Sequence, residues 1–310
     1  MKRVVFALLI LAAICTSVAG AGKVFLNIAT GGTAGTYFPL GGAMAEIVNK
    51  NVAGVNATAV TSGASVANVN MIATDEVQMA LIQNDIAYYA FNGLEMFKDK
   101  AQKNLRAVAT LYNETIQVVT LANSGVKSLA DVRGKRVAVG AAGSGAEVNA
   151  RQVLEAAGLT YKDIAPQYLS FAEGAAGLRD GNTDVAFLTA GAPMAAVRDI
   201  AAQKDILILP VPKDIADKLI AKYPFYVRTK IPKDTYSKQA ADVDTVTVKA
   251  MLVASTSLNA VLVYSVTKAL FSNLDRLVQA HAQGKNINPD TAIEGLPIPV
   301  HEGAARFFGE

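Results

Sequence analysis

Short β-branched runs alternate with longer stretches of helical spacing along the chain, and the same succession occurs twice. The first copy reads as strand "VFLNIAT" (24–30), glycine-rich turn "GGTAG" (31–35) and helix "TYFPLGGAMAEIVNK" (36–50). It continues with strand "NATAVTSGAS" (56–65), helix "VANVNMIAT" (66–74), strand "TDEVQMALI" (74–82) and helix "QNDIAYYAF" (83–91). The second copy runs "KRVAVG" (135–140), "AAGSG" (141–145) and "AEVNARQVLEAAG" (146–158). After it come "PQYLSFAEG" (166–174), "AAGLRDGNT" (175–183), "NTDVAFL" (182–188) and "TAGAPMAAVRDIA" (189–201). Period-two runs separated by period-3.6 runs predict an α/β fold with mostly parallel sheets flanked by helices. Two copies predict two such units.

The pattern after the second copy predicts the return path. "KIPKDTYSKQAADVD" (230–244) is rich in turn formers and charge and reads as a linker. "DTVTVKAMLVAS" (244–255) reads as a strand, and residues 260–282 carry apolar positions at helical spacing, predicting one long amphipathic helix. Domain I is therefore expected to comprise 23–112 plus 246–310, and domain II 113–245, with Tyr112 and Glu114 in the first crossover.

The opening residues carry an address. Lys2 and Arg3 precede an apolar run from Val4 to Cys15 and then small residues, the pattern of a cleavable secretory signal over 1–21. The run is shorter than the roughly 20 residues a membrane span takes. Export to the periplasm is expected. Without Lys2 and Arg3, the 29 Lys and Arg fall to 27 against 26 Asp and Glu, so the processed chain is nearly neutral and shows no electrostatic footprint for nucleic acid. Its single cysteine goes with the signal, which excludes disulfides, thiol nucleophiles and thiolate metal sites. Of the 2 histidines, neither stands at metal-ligand spacing to another. No metal and no cofactor are expected.

The two glycine-rich turns are the candidate chemistry. In open α/β sheets, ligands sit beyond the carboxyl ends of strands, where loops lead into helices. Those helix starts present unpaired N–H groups and the positive end of the dipole. Gly32 and Gly35 in one turn, and Gly143 and Gly145 in the other, let backbone approach a ligand closely; Thr33, Thr36 and Ser144 add hydroxyls. Facing each other across a cleft, the turns would grip one small anion. Sharper motifs fail: neither turn has a phosphate-loop lysine, position 148 lacks the third glycine of a dinucleotide fingerprint, and Ser144 lacks the hydrolase elbow. Catalysis is not expected.

The blocks "TGGTAGTYFPLGGAMAEIVNK" (30–50), "SGASVANV" (62–69), "MALIQNDIAYYA" (79–90), "VRGKRVAVGAAGSGAEVNARQVLEAAGL" (132–159), "LRDGNTDVAFLTAGAP" (178–193), "LVYSVTKALF" (262–271) and "IPVHEGAARFF" (298–308) together resemble the TAXI family, the extracytoplasmic solute receptors of one branch of TRAP transporters. The resemblance implies a two-domain periplasmic binding protein of type II-like fold, with a cleft between its domains. It implies a monomeric receptor that delivers glutamate, a related amino acid or a 2-oxoglutarate-like dicarboxylate to a TRAP-type permease. A ligand-sensing receptor for a sensor kinase and a periplasmic enzyme of the same fold are the competing classes.

On that reading, Gly32, Thr33, Gly35, Thr36 and Tyr37 form one lip of the cleft, with Ser62 from its own block, and Gly143, Ser144 and Gly145 form the other. Gln83 and Asp85 follow the third strand of the first copy; Thr189 and Gly191 hold the matching place in the second. Asp85 is either an acceptor for a ligand ammonium or a helix cap. Glu114 is either a second such acceptor or a solvent-facing hinge acid. His301 is read as a structural cap in the tail.

Overall fold

The computed structural model describes residues 23–309, so the expected signal segment lies outside the described residues. The first copy folds as β1 (Val24–Ala29), α1 (Tyr37–Asn51), β2 (Val55–Val60), α2 (Ser65–Ala73), β3 (Met79–Gln83) and α3 (Asn84–Asn92). A 17-residue strand, β4 (Leu105–Leu121), leads to the second copy. That copy comprises β5 (Arg136–Ala138), α4 (Gly145–Ala156), β6 (Ala165–Gln167), α5 (Phe171–Asp180), β7 (Val185–Ala190) and α6 (Ala195–Gln203). The chain continues through β8 (Ile206–Leu209), α7 (Lys213–Lys222), β9 (Val227–Ile231) and β10 (Val243–Ser255), and ends with α8 (Ala260–Phe271), α9 (Leu274–Ala280) and α10 (Glu302–Phe308).

The repeat in the sequence is a repeat in topology. β1 lies between β2 and β3 and is parallel to both; β5 lies between β6 and β7 and is parallel to both. Each third strand then pairs antiparallel with a long strand, β3 with β10 and β7 with β4. Because β4 and β10 also pair with each other, the described strands form one ten-stranded sheet. The crossovers are thus continuous strands, where the sequence suggested linkers between two sheets. β4 passes from β10 to β7 at Thr115, and the β4–β10 register shifts between Lys249 and Met251, opposite Asn113 and Thr110. Such irregularities bend and twist a strand pair, here where the two halves meet.

Local chemistry explains three differences from the expected elements. "PQYLSFAEG" does not remain extended, because Ser170 and Glu173 form a reciprocal capping box that starts α5 at Phe171. The helix expected over 260–282 breaks at Asn273 into α8 and α9, with Asn273 Nδ2 donating back to the Ala269 carbonyl. The stretch expected as a linker contributes its first residues to β9, which pairs with β10 from Val243.

Apolar side chains of β1, α1, α8 and α9 make one core, among them Leu26, Leu40, Val263 and Leu277. A second core runs under both halves, from Val69 and Ile82 through Ile116 to Val153 and Leu219. His301 caps α10, its Nδ1 accepting from Gly303 N, while Nε2 lies 3.1 Å from the Leu258 carbonyl. Among the described residues, no helix is long and apolar enough to cross a membrane.

Candidate functional site

Both glycine-rich turns stand at carboxyl ends of parallel strands, and both line one cavity. Gly143 has a φ of 78°, a conformation that side chains rarely adopt, and its carbonyl accepts a 3.0 Å hydrogen bond from Ala67 N in α2. Gly145, the first residue of α4, lies so close to β3 that an added Cβ would fall 1.9 Å from Gln83 Oε1. Gly35 approaches Phe171 of α5, which an added Cβ would touch at 3.4 Å.

Between the turns lies a partly open cavity of about 40 Å³. The helices α1, α2 and α4 all start on it, through Thr36, Ser65 and Gly145. First-turn N–H groups have no carbonyl four residues back, so three positive helix ends converge there. The floor is β4, where Tyr112 and Glu114 share one face by the period of two.

Native interiors pair nearly all their buried polar atoms. Among the described residues, seven buried side-chain polar atoms have no hydrogen-bond partner. Six belong to this cavity's lining: Thr36 Oγ1, Tyr37 Oη, Gln83 Oε1, Tyr112 Oη, Glu114 Oε1 and Thr189 Oγ1. The seventh, Asp217 Oδ1, faces the Arg228 guanidinium in an ion pair. Tyr37 is close enough to Glu114, and Tyr112 to Thr36, for each to influence the other, yet neither contact has hydrogen-bond geometry.

Glu114 is 3 % exposed and accepts a 3.0 Å hydrogen bond from Gln83 Nε2. Burial pushes its carboxyl up to about 7, against the lowering influence of Tyr37 and Gln83. Gln83 Nε2 also donates to Asn149 Oδ1 of α4 at 2.9 Å. Asn149 Nδ2 donates to Asp85 Oδ2 at 3.2 Å and to Tyr226 Oη at 2.8 Å. Tyr226 donates to Gln152 Oε1 at 2.6 Å, and Gln152 Nε2 to Tyr89 Oη at 3.2 Å. This buried chain ties β3 and α3 of the first copy to α4 of the second, directly beside the cavity.

Asp85 lies inside that chain. It is fully buried, burial raises its carboxyl to about 7, and its Oδ1 accepts from Ile86 N at 2.9 Å. The carboxyls of Glu114 and Asp85 are raised above the ordinary value near 4, so the folded protein holds protons that the unfolded chain has released. Stability therefore falls as pH rises from about 4.5 to about 7.5, by at most on the order of 4 kcal/mol per carboxyl. Urea denaturation of the ligand-free protein across that range should show the decline; a flat profile would contradict it.

Of the residues singled out from sequence, Gly32, Gly35, Thr36, Tyr37, Gln83, Glu114, Ser144, Gly145 and Thr189 line the cavity. Five do not. Thr33 is exposed. Ser62 organises its own loop, accepting from Ala64 N at 3.0 Å with Asn68 Oδ1 at 2.5 Å. Asp85 sits behind Gln83; Gly143 holds the α2 contact; Gly191 packs under Gln283, whose Nε2 donates to the Ala192 carbonyl at 2.5 Å. Tyr112 and Phe171 line the cavity without having been singled out for it. The strand period leading to Glu114 could have found Tyr112. Phe171 arrives through the fold alone.

The two hydroxylated caps differ. Ser144 Oγ accepts from Glu147 N at 3.1 Å and caps α4, whereas the Thr36 side chain makes no cap bond. Ser144→Ala is expected to lower unfolding stability by about 1 kcal/mol. Thr36→Ala should leave the melting temperature unchanged or higher, because it removes an unpaired buried hydroxyl. Calorimetry of both variants checks this; an equal loss in the two would contradict the contrast.

Two pseudo-repeated α/β halves joined by two long strands make the α/β periplasmic-binding-protein fold of type II-like form. The chain belongs to the NMT1-like family, which it matches over residues 28–310. Solved structures share the fold at low identity. PhnD1 from Prochlorococcus marinus, in complex with methylphosphonate, is 12% identical at a TM-score of 0.54, covering 85% of this chain and 88% of that one. A putative L-cystine ABC transporter from Listeria monocytogenes is 15% identical at 0.51, covering 86% and 98%. The resemblance to TAXI receptors of TRAP transporters is thereby corrected: the family that matches is the NMT1-like one, and the L. monocytogenes neighbour is named for an ABC system.

Proposed function

We propose that the protein is a periplasmic solute receptor that closes on one small carboxylate-bearing solute and delivers it to a membrane importer. The observation that carries this reading is the convergence of six unpaired buried polar atoms on one cavity at three helix starts. Helix N-termini favour anionic groups, and hydroxyls left unpaired in a buried site are suited to a polar ligand. The two bodies are 23–112 plus 246–310, and 113–245; they hinge within β4 and β10, where β4 changes partner. An ABC-type importer is the partner class, following the name of the L. monocytogenes neighbour.

The dicarboxylates implied by the family resemblance fit less well. The cavity lining includes no basic side chain for a second carboxylate. A thermal-shift and calorimetric screen of small carboxylates on the processed chain tests the reading. A ligand at a hundred times its Kd adds about 2.7 kcal/mol, which raises Tm by about 5 °C for a chain of this size. Thr36→Ala should then weaken that ligand by about five- to tenfold. A screen in which no carboxylate stabilises the protein would remove the proposal.

A further inference from the structure

A second crossing between the two bodies lies just outside the cavity. On the division proposed above, Gln283 belongs to the body that includes 246–310, and the loop Gly191–Pro193 belongs to the other. Gln283 does not line the cavity, yet it is 7 % exposed and its Nε2 donates to the Ala192 carbonyl at 2.5 Å. An added Cβ at Gly191 would fall 2.4 Å from Gln283 Cγ and 3.3 Å from Thr36 Oγ1, so the crossing abuts the cavity rim. It repeats the contact at Gly145. On each side a glycine of 113–245 admits a glutamine of the other body, Gln83 at Gly145 and Gln283 at Gly191.

Both ends of this crossing are held in place. The turn Ala282–Asn286 sits on α9 so closely that a Cβ at Gly284 would lie 2.3 Å from the Leu277 carbonyl carbon. Gln283 N donates to His281 Nδ1 at 3.1 Å. Asn286 Nδ2 donates to Gln283 Oε1 at 2.7 Å, which leaves the Gln283 amide nitrogen directed at Ala192. On the other body, Met194 N donates to Tyr236 Oη at 2.9 Å, and Tyr236 Oη donates to Gln117 Oε1 in β4. A donor and an acceptor oriented in advance give up less side-chain and loop freedom when they bond.

We infer that Gln283 is a clasp, a positioning residue that biases the two bodies toward their shut arrangement and holds the cavity around a solute without touching it. The inference rests on the receptor reading and its hinge. A bond present in only one of two arrangements shifts their balance by its own net worth, which for a neutral hydrogen bond is about two- to tenfold. Ala67 reports that balance. It is the third residue of α2, so its N–H has no carbonyl four residues back in the helix. Its bond goes instead to the Gly143 carbonyl of the other body at 3.0 Å. Thr30 N, bonded to the Val60 carbonyl at 2.8 Å, and Val139 N, bonded to the Gln167 carbonyl at 3.0 Å, each stay within one body and serve as references.

Residue-resolved hydrogen exchange of the ligand-free processed chain tests this in Gln283→Met, which keeps the side chain's length and removes its amide. Ala67 should exchange about two- to tenfold faster than in the wild type, while Thr30 and Val139 keep their rates. A second variant combines Gly191→Cys with Gln283→Cys in a processed chain that has no other cysteine. The Cβ added at 191 lies 2.4 Å from the place of Gln283 Cγ, which the new sulfur would take, within disulfide reach. Mild oxidation should remove both thiols and slow Ala67 exchange by at least about tenfold, with recovery on reduction. Unchanged Ala67 exchange in Gln283→Met overturns the inference, as does acceleration of Ala67, Thr30 and Val139 together, or a cysteine pair that stays reduced. None of these outcomes involves a solute, so the receptor reading stands or falls separately, by the carboxylate screen.

Discussion

Gly145→Val is expected to abolish solute capture while leaving a folded protein. Gly145 occupies the first helical position of α4 with no positive φ, so its backbone accepts a side chain without strain. The obstacle is the other half of the molecule. An added Cβ would lie 1.9 Å from Gln83 Oε1, 2.5 Å from Gln83 Cδ and 3.0 Å from Ser65 Oγ. Those atoms belong to β3 and α2, across the cleft from α4. Overpacking of this kind costs about 1–3 kcal/mol even where neighbours adjust, and valine adds two methyls beyond the Cβ. On the proposed hinge between the two bodies, the conflict falls on closure and spares each half's own core. Affinity should drop by at least about 100-fold, and small-angle scattering should show a radius of gyration that ligand no longer reduces. A variant that still binds tightly and contracts would show that α4 does not approach β3 and α2 this closely in the liganded protein.

Asn149→Leu should be the most damaging single change in the buried polar chain. Asn149 makes three contacts, accepting from Gln83 and donating to Asp85 and Tyr226. Leucine has the same branching and number of side-chain heavy atoms and no polar atoms, so its shape follows that of asparagine while every polar contact is lost. Gln83 loses an acceptor, while Asp85 loses the amide that lowers its carboxyl's pKa. Buried groups stranded in this way cost about 1–3 kcal/mol each, more for a charged one. A total loss on the order of 3 kcal/mol is expected at pH 7.5, measured as a fall in the urea midpoint with an unchanged slope. The loss should shrink at pH 5, where Asp85 is neutral in either protein. Equal losses at both pH values would show that Asp85 carries no charge in the wild type.

The repeat, the strand-to-helix turns and most of the cavity's rim were legible in the sequence because each is a local matter. Glycine spacing in "GGTAG" and "AAGSG" dictates tight turns whatever surrounds them, and apolar period distinguishes β1 from α1 without reference to other elements. Even the errors were local. Ser170 with Glu173 is a readable capping box that shortens β6, and Asn273 is a readable helix break.

What the chain determined by itself was the alternation of elements, the doubling of the unit and the placing of amide-rich turns at strand ends, all consequences of side-chain period and backbone freedom over a few residues. Tertiary structure alone decided that β4 and β10 join both halves into one sheet, that Phe171 lines the cavity, and that Asp85 lies outside it in a chain with Asn149. Those partners stand 64 residues apart. Hydrogen bonds at such separation depend on strand order and on how α4 docks against β3. Neither leaves a periodic mark in the sequence, because a buried amide has no preferred spacing from the carboxylate it will meet.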